Sequence, residues 1–169
     1  LHLTPVLSKI AERSIALTLC SFLEVADAYG DTQWAFRSGR SCRTLLLVLM
    51  IKWLLSLSQG FREGIFLSDV QGAFDRVDSS ILLDKCKRAG ICNTLLTLLK
   101  DFFSPRGAQV LVNGRASQLQ TIANQVFQGT VLGPPMWNIF FKDVTVPATQ
   151  SGGFDAKFAD DLGTFHLFH

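Results

Sequence analysis

Two adjacent carboxylates stand inside an apolar stretch near the end of the chain, in the sequence KFADDLGTF. Asp160 and Asp161 are flanked there by Phe158, Ala159 and Leu162, residue types that usually pack inside a fold. Burying an unpaired carboxylate costs free energy unless a nearby charge compensates it. Successive side chains on a strand point to opposite faces, but at the tip of a tight hairpin both carboxylates can converge on one side. A solvated Asp-Asp turn is the alternative interpretation.

A third carboxylate, Asp69, lies near the end of the short apolar segment GIFLSDV, which is typical of a β-strand. Taken alone, Asp69 is best interpreted as a strand cap or the start of a turn. If this strand meets the FADD segment across a sheet, the carboxylates can share a divalent cation. Proteins bind Mg²⁺ through one or two carboxylates together with substrate phosphates and water. Two such ions about 3.5–4 Å apart form the clamp used for in-line displacement at phosphorus.

A glycine-containing loop precedes an apolar segment in FQGTVLGPPMWNIFF. Gln128, Gly129 and Gly133 make a loop in which a ligand can approach the backbone closely. The helix predicted to follow presents its N-terminus, which favours contact with phosphate. The alternative is a simple Gly-Pro turn before a buried helix.

The segments around these residues predict helices that alternate irregularly with strands and hairpins, which favours the α+β class. Apolar residues at a spacing of three to four predict a helix over residues 5–28, and Ser41 is a suitable cap for a second helix through residues 45–57. The remaining predicted elements are a turn bracketed by Gly60 and Gly64, helices over 78–90 and 93–103, a hairpin around Asn113-Gly114, a helix after Pro134-Pro135, a loop at PATQSGG and a strand–turn–strand unit in DAKFADDLGTFHLF.

The composition predicts a folded intracellular domain, cytoplasmic or nuclear. Of the 169 residues, 48% are hydrophobic and 18% are charged, which argues against wholesale disorder. The net charge of +2 is compatible with nucleic acid binding without arguing for it. The four cysteines form no C-x-x-C pair and are expected to be reduced thiols. The apolar run Leu45–Leu57 contains Lys52 and is shorter than the roughly 18–20 residues of a membrane span, so we expect a packed helix and no membrane association.

Three segments in this order resemble motifs of the reverse transcriptase family, specifically of the non-LTR retrotransposon type. SDVQGAFD is similar to motif A, QGTVLGPPMWNIFF to motif B, and FADD to the Y-x-D-D box of motif C. Upstream, LTPVLSKI and QWAFRSGRSCRTLL are similar to the finger segments of the family. The resemblance covers nearly the whole chain. It implies a right-hand polymerase palm, which is an antiparallel sheet with packed helices, plus mainly helical fingers, with the thumb absent from this chain.

The resemblance also implies a division of the chain and a metal site. Residues 1–60 correspond mainly to fingers, 61–78 and 124–169 to palm, and 79–123 to the helices and hairpin between motifs A and B. The catalytic metal ligands implied are Asp69 and Asp160 as principal carboxylates, Asp161 in support, and the backbone carbonyl of Val70. Two Mg²⁺ ions, replaceable by Mn²⁺, are the expected cofactors, and the expected partners are an RNA template, a DNA primer and a dNTP.

Further residues receive expected roles from the same resemblance. Phe74, five positions after Asp69, corresponds to a steric gate that excludes a ribose 2′-hydroxyl and so favours deoxynucleotides. A core Phe is the alternative in a chain with 14 of them. Gln128 and Gly129 are expected to line the pocket for the incoming nucleotide and the template.

Three arginines, Arg37, Arg40 and Arg43, cluster in the second finger segment. They are candidates for contacts with template or triphosphate phosphates, which would make binding sensitive to salt. The alternative for each of them is a solvated basic loop ahead of a helix.

Some positions depart from the family pattern. Phe158 stands where the Y-x-D-D box has Tyr, Phe127 where many relatives have Pro, and Gln71-Gly72 where a charged pair is more usual. The chain starts within the first finger segment and stops soon after motif C, so we expect an open sheet edge and exposed apolar surface. The alternatives are a truncated or decayed relic that at most binds nucleic acid, and an unrelated two-metal phosphotransferase.

Overall fold

The computed structural model describes residues 6–123, 125–145 and 153–168. Helices and antiparallel strands occur together, which confirms the α+β class. The helices are α1 (Val6–Val25), α2 (Cys42–Ser58), α3 (Ser79–Arg88), α4 (Asn93–Phe102) and α5 (Gly133–Phe141). The strands are β1 (Arg62–Asp69), β2 (Arg106–Ala108), β3 (Leu111–Val112), β4 (Arg115–Ala116), β5 (Gln120–Ile122), β6 (Phe154–Phe158) and β7 (Asp161–Phe168).

A three-stranded antiparallel sheet with the order β1-β7-β6 is the platform of the fold. The β1–β7 ladder runs from the pair Arg62↔Phe168 to the pair Asp69↔Asp161. Strands β6 and β7 form a hairpin that closes at the pair Phe158↔Asp161. The ends of β1 and β6 therefore meet at the same end of β7, which brings motif A beside motif C.

The two faces of this sheet contribute to different cores. On one face, Leu45 and Leu49 of α2 pack with Ala156 and Phe165. On the other face, Leu162 joins the main core, which α1, α3, α4 and α5 supply. The largest fully buried apolar side chains of that core are Trp137, Tyr29, Leu23, Leu82, Leu99, Leu132 and Met136.

Local signals account for most helix and turn boundaries. Ser41 caps α2 and forms a capping box with Thr44. Asp78 caps α3 by accepting from the amides of the first turn. Asn113 and Gly114 both have a positive φ, 49° and 76°, as a two-residue primed turn between β3 and β4 requires.

The predicted turn between Gly60 and Gly64 is only half correct. Gly60 has a φ of 83° at the end of α2 and makes the turn alone. Gly64 lies inside β1, opposite His166. A Cβ at Gly64 would stand 2.7 Å from the Phe168 ring, so this glycine leaves room for an aromatic side chain rather than for a turn.

Helix α2 is less buried than its sequence indicates. Only Leu45 and Leu49 are buried, because the helix contacts the sheet along one narrow stripe. Leu46, Leu54 and Leu55 are more than half exposed. Strand β1 lies at an edge of the sheet and exposes Phe66 and Leu67. This agrees with the predicted open sheet edge and exposed apolar surface.

Two further predictions concern segment limits. Helix α1 ends at Val25, three residues before the predicted boundary. The PATQSGG loop lies outside the described residues except for its last glycine. In the described ranges, no helix combines the length and apolarity needed to cross a bilayer.

Candidate active site

Asp69 and Asp161 form the last pair of the β1–β7 ladder. Residues directly opposite each other on antiparallel strands project from the same face of a sheet. Both carboxylates are exposed, and both residues line a cavity of about 410 Å³ that Leu45 and Leu49 of α2 close on one side. Motif A and motif C thus contribute one carboxylate each to a common, open-mouthed space.

Asp160 stands beside this pair, at the hairpin tip that the sequence predicts. It lies in the two-residue turn between β6 and β7 and is half-buried. Since Phe158 pairs with Asp161, the turn consists of Ala159 and Asp160 alone. The residue opposite Asp69 is therefore Asp161, and Asp160 stands at the tip beside it.

The carboxylates fit a divalent cation through their unpaired charge. Within residues 6–123, 125–145 and 153–168, no side chain donates a hydrogen bond to Asp69, Asp160 or Asp161 or forms an ion pair with them. Like charges directly opposite each other destabilise a sheet, so the Asp69–Asp161 pair favours a bound cation. The same residues contain no group of three or more Asp, Glu, His or Cys side chains close enough to hold one ion. The donor set therefore fits an ion with two protein carboxylates, completed by phosphate and water oxygens.

Phe74 lies in a short 3₁₀ turn, Ala73–Arg76, immediately after β1. Its half-buried ring stacks on Trp137 of α5, with ring centroids 5.4 Å apart and an interplanar angle of 23°. Its carbonyl accepts a hydrogen bond of 2.8 Å from the Val126 amide. Motif A is thus fastened to motif B by a ring contact, and to the segment just before motif B by a backbone hydrogen bond.

The loop of motif B exposes Gln128 and Gly129, and Gly129 has a φ of 82° that a glycine adopts without strain. Glu12 of α1 holds the end of this loop. Its Oε2 accepts from the amides of Val131 at 2.6 Å and Leu132 at 3.2 Å, just before α5. Glu12 is 4% exposed, so a buried carboxylate satisfies the free amides and positive dipole of the helix start.

Arg37 is fully engaged inside the protein. Its Nη2 lies 2.6 Å from Glu24 Oε2, and its side chain is 5% exposed. Its Nη1 donates to the carbonyls of Gly30 and Gln33. This buried, ion-paired geometry differs from the solvated basic loop and leaves little of the Arg37 guanidinium for a phosphate contact.

Arg40 and Arg43 differ in how far the protein engages their guanidinium groups. Arg40 donates to the carbonyls of Asp31 and Gln33, at 2.6 and 3.1 Å, and lies over the Trp34 ring at 5.1 Å from its centroid. Arg43, on the first turn of α2, is exposed and has no partner among the described residues. Of the three arginines, Arg43 is the one whose guanidinium is available to a phosphate.

A buried lysine precedes the hairpin turn. Lys157 is 1% exposed, and its Nζ donates to the carbonyls of Phe141 at 3.2 Å and Lys142 at 2.9 Å, at the end of α5. Burial lowers the pKa of Lys157, and the charges of Asp155 and Asp143 oppose that change. The contact fixes β6 against α5 and so positions the strand that leads into the FADD turn.

Sequence reasoning missed three side chains that support the site. Gln33 and Trp137 contact the turn of motif C, and Glu12 holds the loop of motif B. A signal existed for Glu12, because it opens the helically spaced stripe of buried residues that continues with Ala16, Leu19 and Leu23. Local sequence gave no such signal for Gln33, whose partner lies 126 positions away.

Comparison with known proteins places these motifs in one family. The family described as "Reverse transcriptase (RNA-dependent DNA polymerase)" matches residues 1–166. The chain is similar to the RNA-directed DNA polymerase from mobile element jockey of Drosophila melanogaster, with 34% identity over 165 residues that cover 94% of this chain. It is also similar to the probable RNA-directed DNA polymerase from transposon X-element of Drosophila melanogaster, with 31% identity over 96% of this chain. In both comparisons the chain spans 18% of the relative's length.

The fold has a counterpart among solved structures. An apo telomerase from Candida tropicalis, truncated from its C-terminal domain, superposes with a TM-score of 0.64 and 10% sequence identity. The match covers 94% of this chain and 34% of the telomerase chain. This similarity confirms the predicted polymerase-type α+β fold. The family match over residues 1–166, together with relatives above 30% identity, shows that the chain belongs to the reverse transcriptase family, of the type found in non-LTR retrotransposon polymerases.

Proposed function

We propose that this chain is the catalytic core of an RNA-directed DNA polymerase that adds dNTPs to a DNA primer on an RNA template. The observation that carries the proposal is the cross-strand pair of Asp69 and Asp161, which joins motif A to motif C at the mouth of one cavity. The family match and the activity for which the relatives are named support the same function. The protein carrying this chain is then expected in the nucleus or cytoplasm, where its RNA template is found.

In this proposal Asp69 and Asp161 hold two Mg²⁺ ions, with Asp160 and the Val70 carbonyl as further ligands. Bound Mg²⁺ would supply charge stabilisation at the α-phosphate. The primer 3′-hydroxyl gives up its proton to water and its oxygen forms a bond to the α-phosphorus. The bond from the α-phosphorus to the bridging oxygen breaks, and pyrophosphate leaves. The protein contributes chiefly by positioning and by electrostatics.

The neighbouring residues orient the nucleotide. Phe74 stacks on Trp137, which holds its ring rigidly enough to act as a gate against a 2′-hydroxyl. Gln128 and Gly129 present an exposed loop for the incoming base and the template. Arg43 is available for a template phosphate, whereas Arg37 and Arg40 shape the finger loop. The assignment of residues 1–60 to fingers and of 61–78 and 124–169 to palm is part of the same proposal.

The test is primer extension by the full-length gene product on an RNA template, with Mg²⁺ and with excess chelator. We expect extension that needs the metal and the template and that is abolished by Asp69→Asn. Asp101→Asn, an exposed carboxylate on α4, is the matched control and should extend normally. A folded product that binds primer–template without extending it would instead support the non-catalytic relic.

A further inference from the structure

The turn that carries Asp160 contains an alanine in an unusual conformation. Ala159 has a φ of 58°, in the left-handed region where a Cβ is unfavourable. Asparagine and aspartate visit this region more readily than alanine does, because their side chains can bond locally. Such a conformation persists when the surrounding structure imposes it.

Two buried side chains bind the backbone of Ala159 from opposite elements. Gln33 donates from Nε2 to the Ala159 carbonyl at 3.1 Å and accepts the Ala159 amide on Oε1 at 3.0 Å. Trp137 of α5 donates from its indole Nε1 to the same carbonyl at 2.9 Å. Gln33 and Trp137 are each 1% exposed. Gln33, from the second finger segment, thus binds both the amide and the carbonyl of Ala159, and Trp137, from motif B, binds the carbonyl as well.

Gln33 is itself fixed before it reaches the turn. Its Oε1 also accepts from the amides of Trp34 at 3.1 Å and Ala35 at 3.0 Å, which defines the orientation of the amide group. Its backbone segment runs along β6, where Trp34 donates to the Lys157 carbonyl at 2.9 Å. The side-chain amide of Gln33 is therefore already oriented by its own segment when it binds the turn.

Trp137 connects the turn to motif A. The same indole ring that donates to Ala159 stacks on Phe74. One side chain consequently contacts the candidate sugar gate and the residue before the candidate metal ligand Asp160.

We propose that Gln33 and Trp137 are positioning residues that hold Ala159 in its left-handed conformation and thereby present Asp160 and Asp161 to the divalent metal. The inference rests on the proposed function, because the metal site is its target. Supporting groups around metal ligands typically change metal affinity or activity by about 10- to 100-fold when they are removed. The clamp of Gln33 and Trp137 acts through backbone geometry and needs no contact with the metal.

The test uses the full-length gene product and three variants. Gln33→Met keeps the side-chain length and removes the two hydrogen bonds to Ala159, together with those from the Trp34 and Ala35 amides. Trp137→Phe keeps the ring stack and removes the indole donor. Ala159→Gly is the rescue, because glycine adopts a positive φ without the cost of a Cβ. Mn²⁺ binding is followed by the electron paramagnetic resonance of free Mn²⁺, and exchange of the residue 159 amide is followed by NMR.

We expect Gln33→Met to weaken Mn²⁺ binding about tenfold or more and to accelerate exchange of the Ala159 amide. Adding Ala159→Gly to Gln33→Met should restore much of the Mn²⁺ affinity, which a merely structural loss would not allow. Trp137→Phe should show the weaker binding without faster exchange of that amide, because it loses only the bond to the carbonyl. If folded Gln33→Met and Trp137→Phe both bind Mn²⁺ as the wild type does, the clamp is overturned.

Failure of the polymerase proposal and failure of the clamp give different results. A wild-type protein that binds Mn²⁺ independently of Asp69, or that extends no primer, overturns the polymerase proposal. The amide-exchange measurement still decides the hold of Gln33 on the turn in that case, since it reports on the Ala159 amide itself. If Gln33→Met does not fold, Gln33→Glu, which retains the acceptor and loses the donor, takes its place and is expected to weaken Mn²⁺ binding.

Discussion

Asp69 and Asp161 stand directly opposite each other on neighbouring antiparallel strands and share one face of the sheet. No described side chain offsets either charge. A pair of like charges in this position destabilises the sheet by itself, so a bound cation would stabilise it. The relationship links stability to metal binding in a way that can be measured without any assay of activity.

Asp161→Asn should therefore stabilise the metal-free protein and remove its response to metal. The cross-strand repulsion is worth about 0.2–1 kcal/mol of unfolding free energy, which the substitution relieves. Mg²⁺ should raise the unfolding free energy of the wild type, because a ligand that binds only the folded state stabilises it, and should have little effect on the variant. Urea denaturation in chelator and in Mg²⁺ measures both values, with Asp101→Asn as control. A wild type that is indifferent to Mg²⁺ up to millimolar concentrations would contradict this account.

Glu12→Gln should destabilise the protein, because the carboxylate of Glu12 accepts from two amides at the start of α5 in a buried setting. The neutral amide keeps the shape and loses the charge that favours a helix N-terminus. We expect a loss of about 1–3 kcal/mol in the free energy of unfolding, measured by urea denaturation. Asp101→Asn is the comparison for an exposed carboxylate, and it lies near the end of α4 rather than at a helix start. Equal stability of Glu12→Gln and the wild type would contradict the role of Glu12.

The hairpin and helix caps of this fold follow from local sequence, and the site follows only in part. Asn113-Gly114 encodes its primed turn because both residues tolerate a positive φ. The FADD turn is different, since Ala159 has no local preference for its conformation and is held by Gln33 and Trp137. The sequence therefore located all three carboxylates, but it could not predict the strand register that places Asp161 directly opposite Asp69.

Substitutions of Arg37 and Arg43 should have different effects, the first on stability and the second on nucleic acid binding. Arg37→Ala breaks a partly buried ion pair with Glu24 and should lower the unfolding free energy by roughly 2–3 kcal/mol. Arg43→Ala removes an exposed cation and should change stability by less than about 0.5 kcal/mol. If Arg43 contacts a phosphate, its removal lowers the slope of log affinity against log salt by about 1. Binding of labelled primer–template at several salt concentrations measures the slope, and an unchanged slope rules out the contact.

Phe74→Ala should admit ribonucleotides. The ring stacks on Trp137 directly after strand β1, so its loss opens space beside Asp69 and Val70. We expect the preference for dNTP over rNTP, measured as a ratio of kcat/KM values, to fall about 10- to 100-fold. Phe102→Ala on α4 removes a ring of the same kind elsewhere and should leave the ratio unchanged. If Phe74→Ala keeps the wild-type preference for dNTP over rNTP, Phe74 is a core residue and not a sugar gate.

The proposed function requires that Asp69 and Asp161 together form the metal site of an RNA-directed DNA polymerase. The direct measurement is the rate of single-nucleotide incorporation on an RNA template by Asp69→Asn, Asp161→Asn and the control Asp101→Asn. The account predicts a loss of about a hundredfold or more for each of the first two, and a rate within about twofold of wild type for the control. Incorporation by Asp69→Asn or Asp161→Asn at the wild-type rate would contradict it.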